Sequence, residues 1–289
     1  MSSPASPERA LRLQQAYIEA CRLELRALKP GNVHVASEGH GMTVTQFEIS
    51  ALASGAPLAA PGKPVGERIR DAVAATHAAV GCNTNLGIVL LAAPLMAAAE
   101  RAGAGGLRPA LAATLAGLTI ADAAAAYDAI RLARPAGLGH AGAQDVAAAP
   151  TVDLRQAMAL AADRDRIARQ YASDYDDVFA IGARRLRSVQ RAGDTAEWAA
   201  TCAYMDFLAA FPDSHILRKH GADSAERVRG DAAALAARLD GTPHDGMVAQ
   251  LAAFDASLKS RGLNPGSSAD LTVASLLALA CEDMLAAGR

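Results

Sequence analysis

The sequence predicts an all-α fold: a single compact multi-helix domain over residues 1–289, with a buried helix at its centre. Two compositional facts point there. The hydrophobic fraction is 52% but the aromatic fraction only 4%, so alanine and leucine carry the burial. Both are strong helix formers, while the β-branched and aromatic residues that favour strands are sparse, and no stretch alternates as a half-buried strand would. The third observation is the run Gly81-Cys-Asn-Thr-Asn-Leu-Gly-Ile-Val-Leu-Leu-Ala-Ala-Pro-Leu95. Residues 86–99 contain no charge, and a helix that is apolar on every side belongs inside a core.

That central helix has a polar start. Asn83, Thr84 and Asn85 are all residue types that cap helix N-termini. Their burial would leave free N–H groups and a positive dipole end pointing at something deep in the protein. Such an end suits an anion, or simply caps itself. Pro94 lies about two turns in, where its ring displaces the carbonyl of Leu90, so a kink or a pair of short helices is expected there. Gly87 and Pro94 interrupt a run already too short to span a membrane.

The formal net charge of −2 gives no long-range attraction for nucleic acid or anionic lipid, so neither partner is expected. Cys21, Cys82, Cys202 and Cys281 are widely spaced in apolar helical surroundings. They read as buried free thiols of a reducing compartment rather than as disulfides or a zinc site. The start Met-Ser-Ser-Pro-Ala-Ser-Pro-Glu lacks a basic segment followed by an apolar one, so no signal peptide is expected and the location should be cytoplasmic. A homo-oligomer stays open.

Taken in order, residues 7–28 form an amphipathic helix with Leu13, Tyr17, Ala20, Cys21, Leu25 and Leu28 on one face. Glu24 interrupts that face, and a carboxylate there must be paired, metal-bound or protonated. Lys29-Pro-Gly-Asn-Val-His34 stops the helix, and Gly31 lets backbone approach a ligand closely. Lys29, Asn32 and His34 bring cationic and polar groups near Glu24. A short helix over residues 45–54 follows Gly39-His-Gly-Met42. Residues 55–66 form a loop or a lid, and a helix over 65–80 leads to the central run. Beyond a Gly-rich turn at 101–108 come two Ala-rich helices broken near Thr119.

Residues 134–150 place His140 among glycines ahead of Gln144 and Asp145, which suits a loop facing a substrate. The charged segment 163–177 reads as a solvated helix face. In Phe211-Pro-Asp-Ser-His-Ile-Leu-Arg-Lys-His-Gly221, Asp213 or Ser214 caps a short helix whose last turn carries Arg218 and Lys219. Helices over 224–239 and 245–260 precede Asn264-Pro-Gly266. There Ser267 and Asp270 have capping-box spacing, while Asp270 shares the buried face of the last helix.

Four of these stretches occur in one order along nearly the whole chain: Glu24 with Lys29-Pro-Gly-Asn32, Asn83-Thr-Asn-Leu-Gly87, Asp213-Ser-His-Ile-Leu-Arg218, and Leu263-Asn-Pro-Gly-Ser-Ser-Ala-Asp270. Together they resemble the triphosphoribosyl-dephospho-CoA synthase family. The resemblance implies a transferase in which the ribose 2′-hydroxyl of 3′-dephospho-CoA attacks C1′ of ATP. Adenine leaves, the triphosphate stays on the transferred sugar, and the product is a prosthetic-group precursor.

That chemistry calls for a cradle for the triphosphate with Mg²⁺, a base, and help for the departing purine. The resemblance implies Glu24, Asp213 and Asp270 as the acids for catalysis or Mg²⁺. Lys29, Arg218 and Lys219, with the helix start after Asn85, would hold phosphates. Gly31, Asn32, His34, Asn83, Thr84, Asn85 and Gly87 join the candidate binding set, with His140, Asp145 and His215 and, from the last motif, Asn264, Gly266, Ser267 and Ser268.

The chain departs from the family pattern at Leu86, where members often carry a basic residue. It departs again at Gly39-His-Gly-Met42, where many have an acid. The same transfer to a different acceptor is therefore an alternative reading. A metal-dependent phosphohydrolase built on His244-Asp245 is another.

Overall fold

The computed structural model describes residues 7–240 and 244–287. The N-terminal stretch up to Ser6, expected to hold no signal peptide, lies outside them. The described residues are helical and contain no strand. Their only extended pairings are two isolated bridges, His34–Ser37 and Gly39–Met42. Helix α4 (Leu86–Arg101) is the predicted centre, with Leu86 and every residue from Ile88 to Glu100 buried. Around it pack α1 (Pro7–Arg26), α2 (Val44–Leu58), α3 (Val65–Val80), α5 (Leu107–Ala116) and α6 (Ile120–Ala133).

The C-terminal helix α14 (Gly266–Ala287) is a second buried element. It packs against α4, α1 and α10 (Ala196–Ala210). The shorter helices α7 (Leu154–Ala159), α8 (Arg166–Ala172), α9 (Arg184–Arg191), α11 (Ser214–His220), α12 (Ala222–Ala236) and α13 (His244–Ser260) complete the shell. No single helix among the described residues is long and apolar enough to cross a membrane. Only α5 with α6, bent by 94°, match a span in length and composition.

Pro94 does not divide α4 into two short helices, one of the two expected outcomes: Leu86–Arg101 runs as one helix with the proline inside it. The carbonyl of Leu90, which a residue other than proline at position 94 would bond, accepts the hydroxyl of Tyr171 at 2.6 Å. Tyr175 donates to the neighbouring carbonyl of Leu91 at 3.0 Å. Asp174 and Tyr175 both take positive φ, 53° and 64°, in the turn between α8 and a π-helix, Val178–Ala183. The backbone bond lost to proline is thus replaced by side chains from another element.

Helix α2 runs further than its sequence suggests, through Gly55 and Pro57 to Leu58. Gly55 lies against Gln14 and Ile18 of α1, where an added Cβ would come within 3.2 Å. This close approach favours continued helix over a turn. The remaining connection is pinned rather than lid-like. Gly62 N donates to Glu100 at 2.8 Å, and Arg68 donates to the carbonyls of Lys63 and Leu58 at 2.9 and 2.7 Å.

Candidate active site

The N-termini of α4 and α14 meet, and a cavity of about 510 Å³ opens in front of them. Asp270, one turn into α14, lies against Gly87 in the first turn of α4. A Cβ on Gly87 would overlap the Asp270 carboxylate. The half-buried carboxylate lines the cavity. Burial first, then the nearby charges of Glu24 and Asp213, push its pKa well above the usual carboxylate range. The expected capping box with Ser267 does not form. Instead Ser268, at the start of α14, donates from N and Oγ to Asp213 at 2.8 and 2.9 Å.

Glu24 also lines the cavity. It is 4% exposed and pairs with Lys29, which is fully buried. Burial pushes Glu24 up and Lys29 down, each toward its uncharged form, and the partner's charge pulls back. Lys29 Nζ donates to Asn32 Oδ1 at 3.0 Å, and Asn32 Nδ2 donates to Asn264 Oδ1 at 2.8 Å. The first and last motifs are thereby tied together. Lys29 is spent on this chain and does not line the cavity. Its expected phosphate contact has no geometry to support it.

Asp213 is buried and saturated. One oxygen accepts from the N–H groups of His215 and Ile216 at 2.9 and 3.2 Å, capping α11, and the other accepts from Ser268. These bonds tie the start of α14, and so the register of Asp270, to the start of α11. His215 sits on the cavity wall, with Gly266 leaving room for its ring. A Cβ at Gly266 would stand 2.9 Å from Nδ1. Its Nε2 is buried with no hydrogen-bond partner among the described residues. Burial, then Arg218 and Lys219, push the imidazole down to about 4. Arg218 lines the same cavity and pairs with Asp165 at 2.7 Å.

The polar start of α4 is divided among three tasks. Asn83 Oδ1 accepts from Leu86 N at 3.1 Å, Thr84 bonds Ser50 at 2.6 Å, and Asn85 donates to Ser54 at 3.2 Å. Asn83, Thr84 and Gly87 line the cavity and Asn85 does not. The glycine-rich loop 135–146 forms the opposite wall. Within it Asp145 accepts from Ala141 and Ala147 N–H groups at 2.6 and 2.8 Å. Those bonds, Ala147 first, hold its carboxyl below the usual range. His140 stands at the rim, its side chain 96% exposed and 3.6 Å from Asp145.

Other candidates lie elsewhere. His34 faces Asp255 at 3.6 Å. Gly31 (φ 81°) donates to Asp255 at 2.8 Å and packs against Leu258 and Pro265. His244 pairs with Asp194 at 3.1 Å and stacks on Trp198. No metal-ligating group of three or more His, Cys, Asp or Glu occurs among the described residues.

A family model described as ATP:dephospho-CoA triphosphoribosyl transferase matches residues 10–288. The chain belongs to this family. As a member, this transferase moves the ATP-derived triphosphoribosyl group to dephospho-CoA. The fold is similar to that of a solved structure from Archaeoglobus fulgidus named triphosphoribosyl-dephospho-CoA synthase. That match has a TM-score of 0.61 and 22% identity, covering 82% of this chain and 98% of that one. No curated protein matches the chain.

Several residues at or beside the transferase's cavity escape sequence reasoning. Asp165 belongs to a segment that reads as a solvated face, yet it caps α8 through the N–H groups of Ile167 and Ala168 and holds Arg218. Its Asp-x-x-Ala spacing at a helix start was the available signal. Arg134 ends α6 in the left-handed conformation (φ 47°), a role that usually falls to Gly or Asn. Only the following proline hinted at the stop. Cys82 is half-buried in the turn before α4, not in an apolar helix, and accepts a long 3.8 Å contact from Gln46.

Proposed function

We propose that triphosphoribosyl transfer takes place at the converging N-termini of α4 and α14, with Asp270 handling the proton. One observation carries this reading: Asp270 is the cavity carboxylate that no hydrogen bond among the described residues engages, and its surroundings raise its proton affinity. A carboxylate so placed is a stronger base than one in water.

The step balances simply. The bond from the acceptor 2′-oxygen to C1′ forms as the bond from C1′ to the purine nitrogen breaks. The hydroxyl proton passes to Asp270, and the departing purine takes up one proton, leaving as neutral adenine. Glu24, paired with Lys29, adds to the proton affinity of Asp270, and Asp213 holds the register. The buried free thiols Cys21, Cys202 and Cys281 suit a reducing, cytoplasmic setting. The whole chain then acts as one catalytic domain.

The donor set does not fit a Mg²⁺ site held by the protein alone. Mg²⁺ needs oxygen ligands at near-octahedral geometry, and it is usually held by one or two carboxylates plus substrate phosphates. Of the three acids expected to supply them, Asp213 has both oxygens taken and Glu24 is paired with Lys29. Asp270 alone remains. The reading therefore leaves Mg²⁺ with the phosphates of ATP, and no step passes through it.

The test is adenine release. Wild-type protein with ATP and 3′-dephospho-CoA should free one adenine per acceptor consumed, followed by chromatography with mass detection. Asp270→Asn should lower kcat by about two orders of magnitude or more, with the KM for ATP little changed. A fully active Asp270→Asn protein would overturn the assignment.

A further inference from the structure

A second cavity of about 540 Å³ adjoins the first, and the two share Met42, Asn83, Ala136, His215 and Asn264 as a common wall. Their charges differ sharply. The first is lined by Glu24, Asp145, Asp165 and Asp270 against Arg164 and Arg218. Among the described residues the second has no acidic residue in its lining and carries Arg131, Arg134 and Lys219 with His40, His77 and His215.

Arg131 is partly committed, to Asp128 and the carbonyl of Val146. Arg134 and Lys219 make no ion pair or side-chain hydrogen bond among the described residues. Arg134 is held in a left-handed backbone conformation, which costs a non-glycine residue about 1 kcal/mol or more and clusters at ligand sites. Lys219 projects from the last turn of α11.

Resting on the transferase reading above, we propose that this acid-free lobe seats the triphosphate of ATP, and that the first lobe takes the adenine and the acceptor. A polyanion is repelled where Asp270 occupies the start of α4, so the dipole end that looked like the phosphate site is already filled by a carboxylate. It is attracted where unpaired cations converge without a competing acid. The chemistry of the donor fits the shared wall. The triphosphate hangs from C5′ of the ribose and the adenine from C1′, and the two diverge from the ring carbons either side of the ring oxygen. A ribose at the junction puts phosphates among Arg134 and Lys219 and turns C1′ toward Asp270. The apolar stretch of the first lobe, with Leu90, Leu154 and Met158, then accepts the acceptor's pantetheine arm.

The probe is inorganic tripolyphosphate, titrated calorimetrically into the full chain. Arg134→Gln and Lys219→Gln, both at exposed positions, should each weaken tripolyphosphate and ATP binding about tenfold or more, the loss of one charge-assisted contact. Binding of adenosine and of dephospho-CoA should stay within about twofold, and Arg164→Gln, in the other lobe, should leave tripolyphosphate unaffected. Unchanged tripolyphosphate affinity in both lobe variants, with circular dichroism showing them folded, overturns the proposal, as does a selective loss of dephospho-CoA binding. The two readings fail separately. Adenine release with an unaltered ATP KM in both variants sinks the lobe assignment and keeps the transfer. Tripolyphosphate binding that follows the variants without any adenine release keeps the lobe and sinks the site of transfer.

Discussion

The carboxylate of Asp270 on α14 fills the space that a side chain on Gly87 of α4 would need, so that only glycine fits at 87 while the acid is there. Each helix start is thereby defined by the other. The acid also sits beside the positive end of the α4 dipole, which offsets part of the cost of its ionised form.

Gly87→Ala should therefore damage the site more than the fold. The methyl group displaces the carboxylate, and overpacking of this kind costs about 1–3 kcal/mol. Adenine release should fall by about an order of magnitude or more, read as kcat, with an intact helical spectrum. Combining it with Asp270→Ala should restore the thermal midpoint while leaving the protein inactive. An active Gly87→Ala protein would show that the carboxylate can work from another position.

Asp270→Asn should raise stability at neutral pH even as it removes activity. A carboxyl whose folded pKa lies above its unfolded value binds protons more tightly in the folded state, so its contribution falls as pH rises from about 4. The amide does not ionise and escapes that loss. Thermal melts of both proteins should diverge from weakly acidic to neutral pH, the variant melting higher, and converge in acid. Parallel curves at every pH would mean that Asp270 is not strained in the resting protein.

Glu24→Gln should unfold more easily, because it leaves the buried Lys29 ammonium without its partner. Breaking a buried pair from one side costs about 3–5 kcal/mol. Glu24→Gln with Lys29→Met should recover much of that in denaturant melts, because no charge is then stranded. Activity should not return with it. Recovery of both would reduce Glu24 to a purely structural role.

His215 gives the pH dependence the opposite sign. Its folded pKa of about 4 lies below the ordinary 6.5, so the unfolded chain takes up the proton first as pH falls. Stability is complete above 6.5 and is lost on the way down to 4, by on the order of 2–3 kcal/mol. His215→Gln should flatten the melting temperature across that window. Tripolyphosphate should flatten it too, since an anion beside the ring favours the imidazolium.

The fold was readable because helix propensity and apolar periodicity act locally. The uncharged run at 86–99 marks the central helix, and Glu24 stands out by interrupting an apolar stripe. The use made of such residues depends on contacts across the chain. The crowding of Lys29 near Glu24 does not say whether its ammonium is spent on that acid or left for a ligand, and nothing near Asp213 says that Ser268 fills its second oxygen. Asp270 and Gly87 are each legible as unusual, but their mutual exclusion exists only once two helices meet. Arg134 was missed for a similar reason: an arginine at a helix end looks ordinary until its backbone conformation and lack of partner are known.

Pro94 and Tyr171 have a consequence for how this sequence can drift. The proline leaves the carbonyl of Leu90 without its helical donor, and the hydroxyl of Tyr171 supplies one. The dependence runs one way: an alanine at 94 makes the hydroxyl redundant, whereas a phenylalanine at 171 strands a carbonyl in the core for as long as the proline remains. A lineage can therefore replace the proline first and the tyrosine afterwards, while the reverse order passes through a destabilised intermediate.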